Sequence, residues 1–132
     1  MAIPTGSGSE VLRNFGINGS GGATSLVDFG GTSGTGSVRT AGNTAGVVAV
    51  PANVIITILN IIWKASADIT LTATIDWQGS GTDITFCQFS PLADNSAFVF
   101  SEKIVLREGD KLELYTTGTA DIYGSFIYQD WT

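Results

Sequence analysis

A protein that does chemistry has to bring reactive side chains together, and this sequence offers few of them. Its 132 residues include no histidine, which removes the commonest general base and metal ligand. Cys87 is the single cysteine, so no disulfide can form within the chain. In Thr85-Phe86-Cys87-Gln88-Phe89 it reads as a small apolar residue of a strand, with no imidazole to activate its thiol. Carboxylates come close together at Glu108, Asp110 and Glu113, and again at Asp76 and Asp83 on either side of a Gly-Ser-Gly turn. Hard cations take such oxygens, but the loop spacing of an EF-hand is absent, and aspartates in tight turns serve local hydrogen bonding. A glycosidase pair could be drawn from the same acids, as from any two acids of a β-protein. The run Gly30-Gly31-Thr32-Ser33-Gly34-Thr35-Gly36 lacks the preceding strand, the lysine and the following helix of a phosphate-binding loop. The sequence is therefore read as non-enzymatic, with no catalytic residue, no metal and no cofactor.

Charge narrows the partners. The net charge is −6, and residues 1–46 contribute nothing to it, because Glu10 and Asp28 cancel Arg13 and Arg39. The acidic excess lies wholly in residues 47–132, which would repel a polyanion, so nucleic acid is not expected as a partner. A membrane is not expected either: the longest apolar stretch, Val54 to Trp63, is interrupted by Thr57 and Asn60 and is too short to span one. The first residues lack the basic segment and apolar block of a secretion signal, so synthesis in the cytoplasm is expected.

The elements that must position these residues fall into two regions. Twelve of the seventeen glycines lie in residues 1–46, among Ser, Thr and Asn. That composition buries too little apolar surface to offset its chain entropy, and predicts an extended N-terminal arm. Small apolar knots punctuate it, and Ile3, Pro4, Val11, Leu12, Phe15, Ile17, Leu26, Val27 and Phe29 are its candidate interface residues. A plain linker remains the other reading, although a linker has no use for exposed phenylalanines. On the arm reading, removing residues 1–30 leaves a folded body that no longer binds its partner.

From Val47 the pattern changes to a period of two. Ile69-Thr70-Leu71-Thr72-Ala73-Thr74-Ile75-Asp76-Trp77 alternates throughout, and further strands are predicted at 84–89, 97–101, 103–107, 111–117 and 121–128. The expected fold is all-β, an antiparallel sandwich or jelly-roll-like body over residues 47–132. Val54 to Trp63 is apolar on both faces, which predicts a central strand whose second face, with Ile55, Leu59 and Ile61, is covered by another subunit, by the arm or by a loop of the same chain. Aromatic residues crowd the C-terminal half, and Tyr115, Tyr123 and Trp131 are candidates for a platform on which a sugar would stack.

The opening Met1-Ala2-Ile3-Pro4-Thr5-Gly6-Ser7-Gly8, the glycine-serine segment behind it, the stretch Leu106-Arg107-Glu108-Gly109-Asp110-Lys111-Leu112-Glu113-Leu114 and the ending Ile127-Tyr128-Gln129-Asp130-Trp131-Thr132 together resemble small virion structural proteins of tailed bacteriophages, most of all capsid decoration (cement) proteins. The resemblance implies a homotrimer on the capsid surface of a virion, with the major capsid protein as partner and no catalytic or binding residue to carry over. A tail- or fibre-associated lectin-like module that binds a host glycan is the alternative function.

Overall fold

The computed structural model describes residues 9–20, 22, 24–29, 37–40 and 48–131. Ten strands follow in order: β1 (Ser9–Ser20), β2 (Ser25–Asp28), β3 (Ser37–Thr40), β4 (Val54–Ala65), β5 (Ile69–Asp76), β6 (Asp83–Leu92), β7 (Ala97–Phe100), β8 (Ile104–Leu106), β9 (Lys111–Thr116) and β10 (Ala120–Asp130). Among the described residues the only helical element is a 3-10 turn at Trp77–Gly79. None of the helical structure described is long and apolar enough to cross a membrane.

The strands form two five-stranded antiparallel sheets. Sheet A runs β1-β10-β4, with β7 and β8 both pairing the far side of β4, and sheet B runs β3-β2-β9-β5-β6. β7 lies along residues 61–64 of β4 and β8 along residues 56–58, so the two are one strand broken in the middle. Counting them as one, the chain crosses between sheets at every connection except the β2–β3 and β5–β6 hairpins, and first and last strands lie side by side. Two antiparallel sheets linked in this way make a jelly-roll-like sandwich, the fold class expected.

The core follows from the alternation. Ile69, Leu71 and Ala73 of β5 point inward against Ile56, Ile58, Ile61 and Trp63 of β4, Leu112 and Leu114 of β9, and Ile122 and Phe126 of β10. Thr70, Thr72 and Thr74 stand on the outer face of sheet B, where Thr70 bonds Ser90 at 2.6 Å and Thr74 bonds Thr85 at 3.2 Å. The alternation stops at Asp76: Trp77 belongs to the 3-10 turn and is half exposed, not a member of the inner face.

Two expectations are overturned. The division into an arm at 1–46 and a body at 47–132 does not hold for the described residues. β1 pairs with β10 over almost its full length, β2 pairs with β9, and Phe15, Val27 and Phe29 are buried in the common core. Phe126 sits between the two phenylalanines, with ring centroids 6.2 Å from Phe15 and 5.4 Å from Phe29. Gly124 makes room for the first: a Cβ there would lie 2.2 Å from Phe15 Cζ and 2.8 Å from the Asn60 carbonyl oxygen. Arg13 adds a polar tie, donating to the Phe29 carbonyl at 2.7 Å while its guanidinium lies 4.0 Å above the Tyr128 ring. The physical reason is that glycine content lowers propensity without preventing pairing, and a few large apolar groups on a strand paired along its length outweigh it.

The second correction concerns Ile61. Residues Ser125 and Phe126 of β10 face Asn60 and Ile58, which leaves Leu59 as an extra residue in a β-bulge. The bulge inverts the alternation, so Ile56 and Ile58 before it and Ile61 and Trp63 after it all point inward. Ile61 is fully buried and belongs to the core, while Ile55 and Leu59 stay half-buried.

Candidate functional site

Three places on the surface bring functional groups together. The first is the outer face of sheet A. Reading across the strands, Leu12, Ile127, Thr57 and Val105 form one row, and Tyr123, Ile62 and Val99 form a second. Leu12 is 68% exposed, Val105 59%, Val99 56% and Tyr123 51%. Polar pairs bound the rows: at one end Gln129 donates to Glu10 at 2.8 Å, and at the other Asp121 lies opposite Lys64. Within the face Asn14 donates to the Tyr123 hydroxyl at 3.0 Å, which holds that ring over the glycine at position 16. Single exposed apolar residues are ordinary, but aligned rows across a whole sheet mark a contact surface.

The second place is acidic. Asp76 of β5 lies opposite Asp83 of β6 and Lys111 of β9, and Glu113 stands on the same face of β9. Oxygens of the Asp76, Asp83 and Glu113 carboxylates all lie within 4.8 Å of one another. Burial pushes the Glu113 carboxyl above its ordinary range, and the charges of Asp83 and Asp76 push the same way, with Lys111 partly opposing them. Three carboxylates carry six oxygens, the lower limit of a calcium site and only if all three are bidentate, and Asp76 already accepts the Gly81 N–H at 3.2 Å.

The third place is a cleft of about 390 Å³ at one end of the sandwich, lined by Asn53, Val54, Ile55, Gln78, Arg107, Glu108, Gly109 and Trp131. Four stretches of chain meet there, and Asp110 ties two of them: its buried carboxylate accepts the Gln78 and Arg107 backbone N–H groups, each at 2.9 Å. The Asp110 N–H closes the turn onto the Arg107 carbonyl at 3.0 Å, with Gly109 at φ +88 in the third position, where a turn with a left-handed residue requires glycine. Gly109 also donates to Val50, and Trp131 donates its backbone N–H to Asn53 at 3.0 Å. A side chain at 109 would come within 3.2 Å of the Gln78 Cα. Asn53 (φ 60) and Gln78 (φ 53) are themselves left-handed.

The structure places the candidate residues as follows. Phe15, Val27, Phe29 and Ile61 are core; Leu26 is half-buried in β2, and Ile17 packs against the core from β1. Val11 and Leu12 are exposed on β1, while Ile3 and Pro4 lie outside the described residues. Tyr115, Tyr123 and Trp131 do not form one platform: Tyr115 projects from the outer face of sheet B, Tyr123 from the outer face of sheet A, and Trp131 lies at the end in the cleft. Cys87 is buried, which raises its thiol pKa and keeps it protonated at neutral pH. Sequence reasoning missed Asn53, Gln78 and Arg107 as lining residues. It marked Glu108 and Asp110 as neighbouring carboxylates, but no local signal says that the turn between them meets the C-terminal strand.

No family model matches the sequence, and no curated protein matches it. Among solved structures, Eiger TNF from S. frugiperda aligns at a TM-score of 0.39 and 13% identity, covering 92% of this chain and 93% of that one. A likeness of that size assigns neither a partner nor a chemistry.

Proposed function

We propose that the protein is a non-enzymatic structural component of a phage virion, a decoration protein that works as a homotrimer and stabilises the capsid shell by binding the major capsid protein. The observation that carries this reading is the apolar outer face of sheet A, offered by strands paired along their length. With β1 and β2 built into the sandwich, adhesion rests on this face and not on a free arm.

A neighbouring copy of the chain is the occupant that charge favours. Molecules each carrying −6 repel, and the rows of sheet A add nothing to that repulsion, since neither holds a side chain charged at neutral pH; in a closed trimer each copy sets this face against a different surface of the next. Between the polar pairs that bound it the face runs over residues 122–128 of β10; at the usual rise and strand spacing a four-strand face of that length covers roughly 400 Å² in plan. That is about half of the 800 Å² or so per partner of a stable interface, so the contact extends past the two rows. The assembled copies, and not the single chain, then seat on the shell.

The test has two arms. Light scattering on the purified protein reports its mass in solution, and co-sedimentation with shells stripped of the protein reports decoration. Leu12→Glu with Val105→Glu places charge in one row at exposed positions, so folding is retained. The wild type is expected to be trimeric and to sediment with shells, and the double variant to be monomeric and left in the supernatant. A monomeric wild type, or a variant that still assembles and decorates, overturns the reading.

A further inference from the structure

We infer that the cleft at the end of the sandwich is a saccharide-binding site, taking a neutral mono- or disaccharide between Trp131 and the Arg107-Glu108-Gly109 turn. The inference is independent of the shell-binding reading; the cleft borders the apolar rows of sheet A at Ile55.

The cleft is held in shape before any ligand arrives. The Asp110 carboxylate joins the turn before β9 to the 3-10 turn after β5, the Gly109 N–H joins the same turn to the chain entering β4, and the Trp131 backbone joins the C-terminal strand to Asn53. Three left-handed residues, Asn53, Gln78 and Gly109, converge on its wall. Two of them are not glycine, and such backbone is retained where the surroundings fix it, characteristically around bound ligands. A preorganised wall spares the ligand the cost of ordering it.

The lining selects the ligand class. Asn53 and Gln78 offer carboxamides that both donate and accept, Arg107 offers donors and Glu108 acceptors, while Trp131 with Val54 and Ile55 supplies flat and apolar surface. A free anion would face Glu108, a cation would face Arg107, and a wholly apolar molecule would strip water from four hydrogen-bonding side chains without replacing it. A sugar ring satisfies all of them: its hydroxyls donate and accept, and its C–H face packs on an indole. The volume, about 390 Å³, falls in the range of roughly 300–1,000 Å³ of small-molecule sites.

The test is a titration of the isotope-labelled full chain with glucose, galactose, mannose, N-acetylglucosamine, maltose and lactose, each to about 20 mM, a limit set by millimolar affinity. Backbone amide shifts locate the site and give Kd. Expected are saturable shifts at 53–55, 78, 107–109 and 131 with at least one sugar, and Kd weakened roughly tenfold or more by Glu108→Ala and by Arg107→Ala. Both residues are exposed, so these variants fold. Leu12→Glu with Val105→Glu is expected to leave Kd unchanged, which separates this site from the contact face. No saturable shift with any of the sugars, shifts confined to other surfaces, or a Kd insensitive to both alanine variants overturns the inference.

Discussion

Phe15→Ala tests whether the glycine-rich N-terminal third is part of the fold. The ring is fully buried, packs on Phe126 and fills the space that Gly124 leaves open. Emptying such a site removes the transfer energy of the ring and leaves a cavity that its paired-strand surroundings collapse into only in part, for a cost of about 3–5 kcal/mol. At about 2.1 cal/mol/K of unfolding entropy per residue, a chain of this size loses roughly 11–18 °C in Tm. Leu12→Ala, three residues earlier on the same strand and mostly exposed, is the internal control, expected within about 0.5 kcal/mol of the wild type. Urea denaturation followed by tryptophan fluorescence, with thermal melts by circular dichroism, measures both. Were residues 9–20 a mobile arm, the two substitutions would be indistinguishable. A Phe15→Ala midpoint within about 3 °C of wild type refutes the placement of β1. Deletion of residues 1–30 carries the same logic further: it removes Phe15, Val27, Phe29 and the pairing partners of β9 and β10. At about 1.5–3 kcal/mol for each buried side chain, that loss rivals the 5–15 kcal/mol of a whole domain. The truncated chain is expected to show no cooperative transition, the reverse of what an arm implies.

Two further outcomes follow from single side chains. Asp110→Asn replaces one of two acceptor oxygens with an N–H₂ that faces a backbone N–H, and is expected to cost about 1–3 kcal/mol and to broaden the amide signals of Gln78 and Arg107. Glu113 gives a pH dependence: its folded carboxyl is raised above the unfolded value, so the folded state holds the proton more tightly, and the protonated form's advantage is lost as pH rises through the folded value. Tm of the wild type should therefore gain less, or fall, between about pH 4 and 7 relative to Glu113→Gln, with the variant the more stable at neutral pH; equal profiles would show that Glu113 is not perturbed.

The contrast between the two halves of the chain is physical. From β4 onward almost every strand was legible, because Ile69 to Asp76 and its neighbours alternate one side chain in and one out, and because turns such as Glu108-Gly109-Asp110 announce themselves by residue type. β1 and β2 were not, since Gly16 and Gly19 in one and the brevity of the other hide strands whose partners, β10 and β9, lie about a hundred residues away. The outward place of Leu59 and inward place of Ile61 depend on a bulge opposite Ser125 and Phe126, which no pattern within β4 encodes.

Composition alone removed histidine chemistry and a disulfide within the chain, and alternation alone pointed to an antiparallel sandwich, for these depend on residue type and on a period of two. Which strands are neighbours decided the rest. Leu12, Ile127, Thr57 and Val105 become a row, and Asn53, Gln78, Glu108 and Trp131 become a cleft, only when non-local pairing brings them together; a surface is made of residues adjacent in space, and a sequence records only adjacency along the chain.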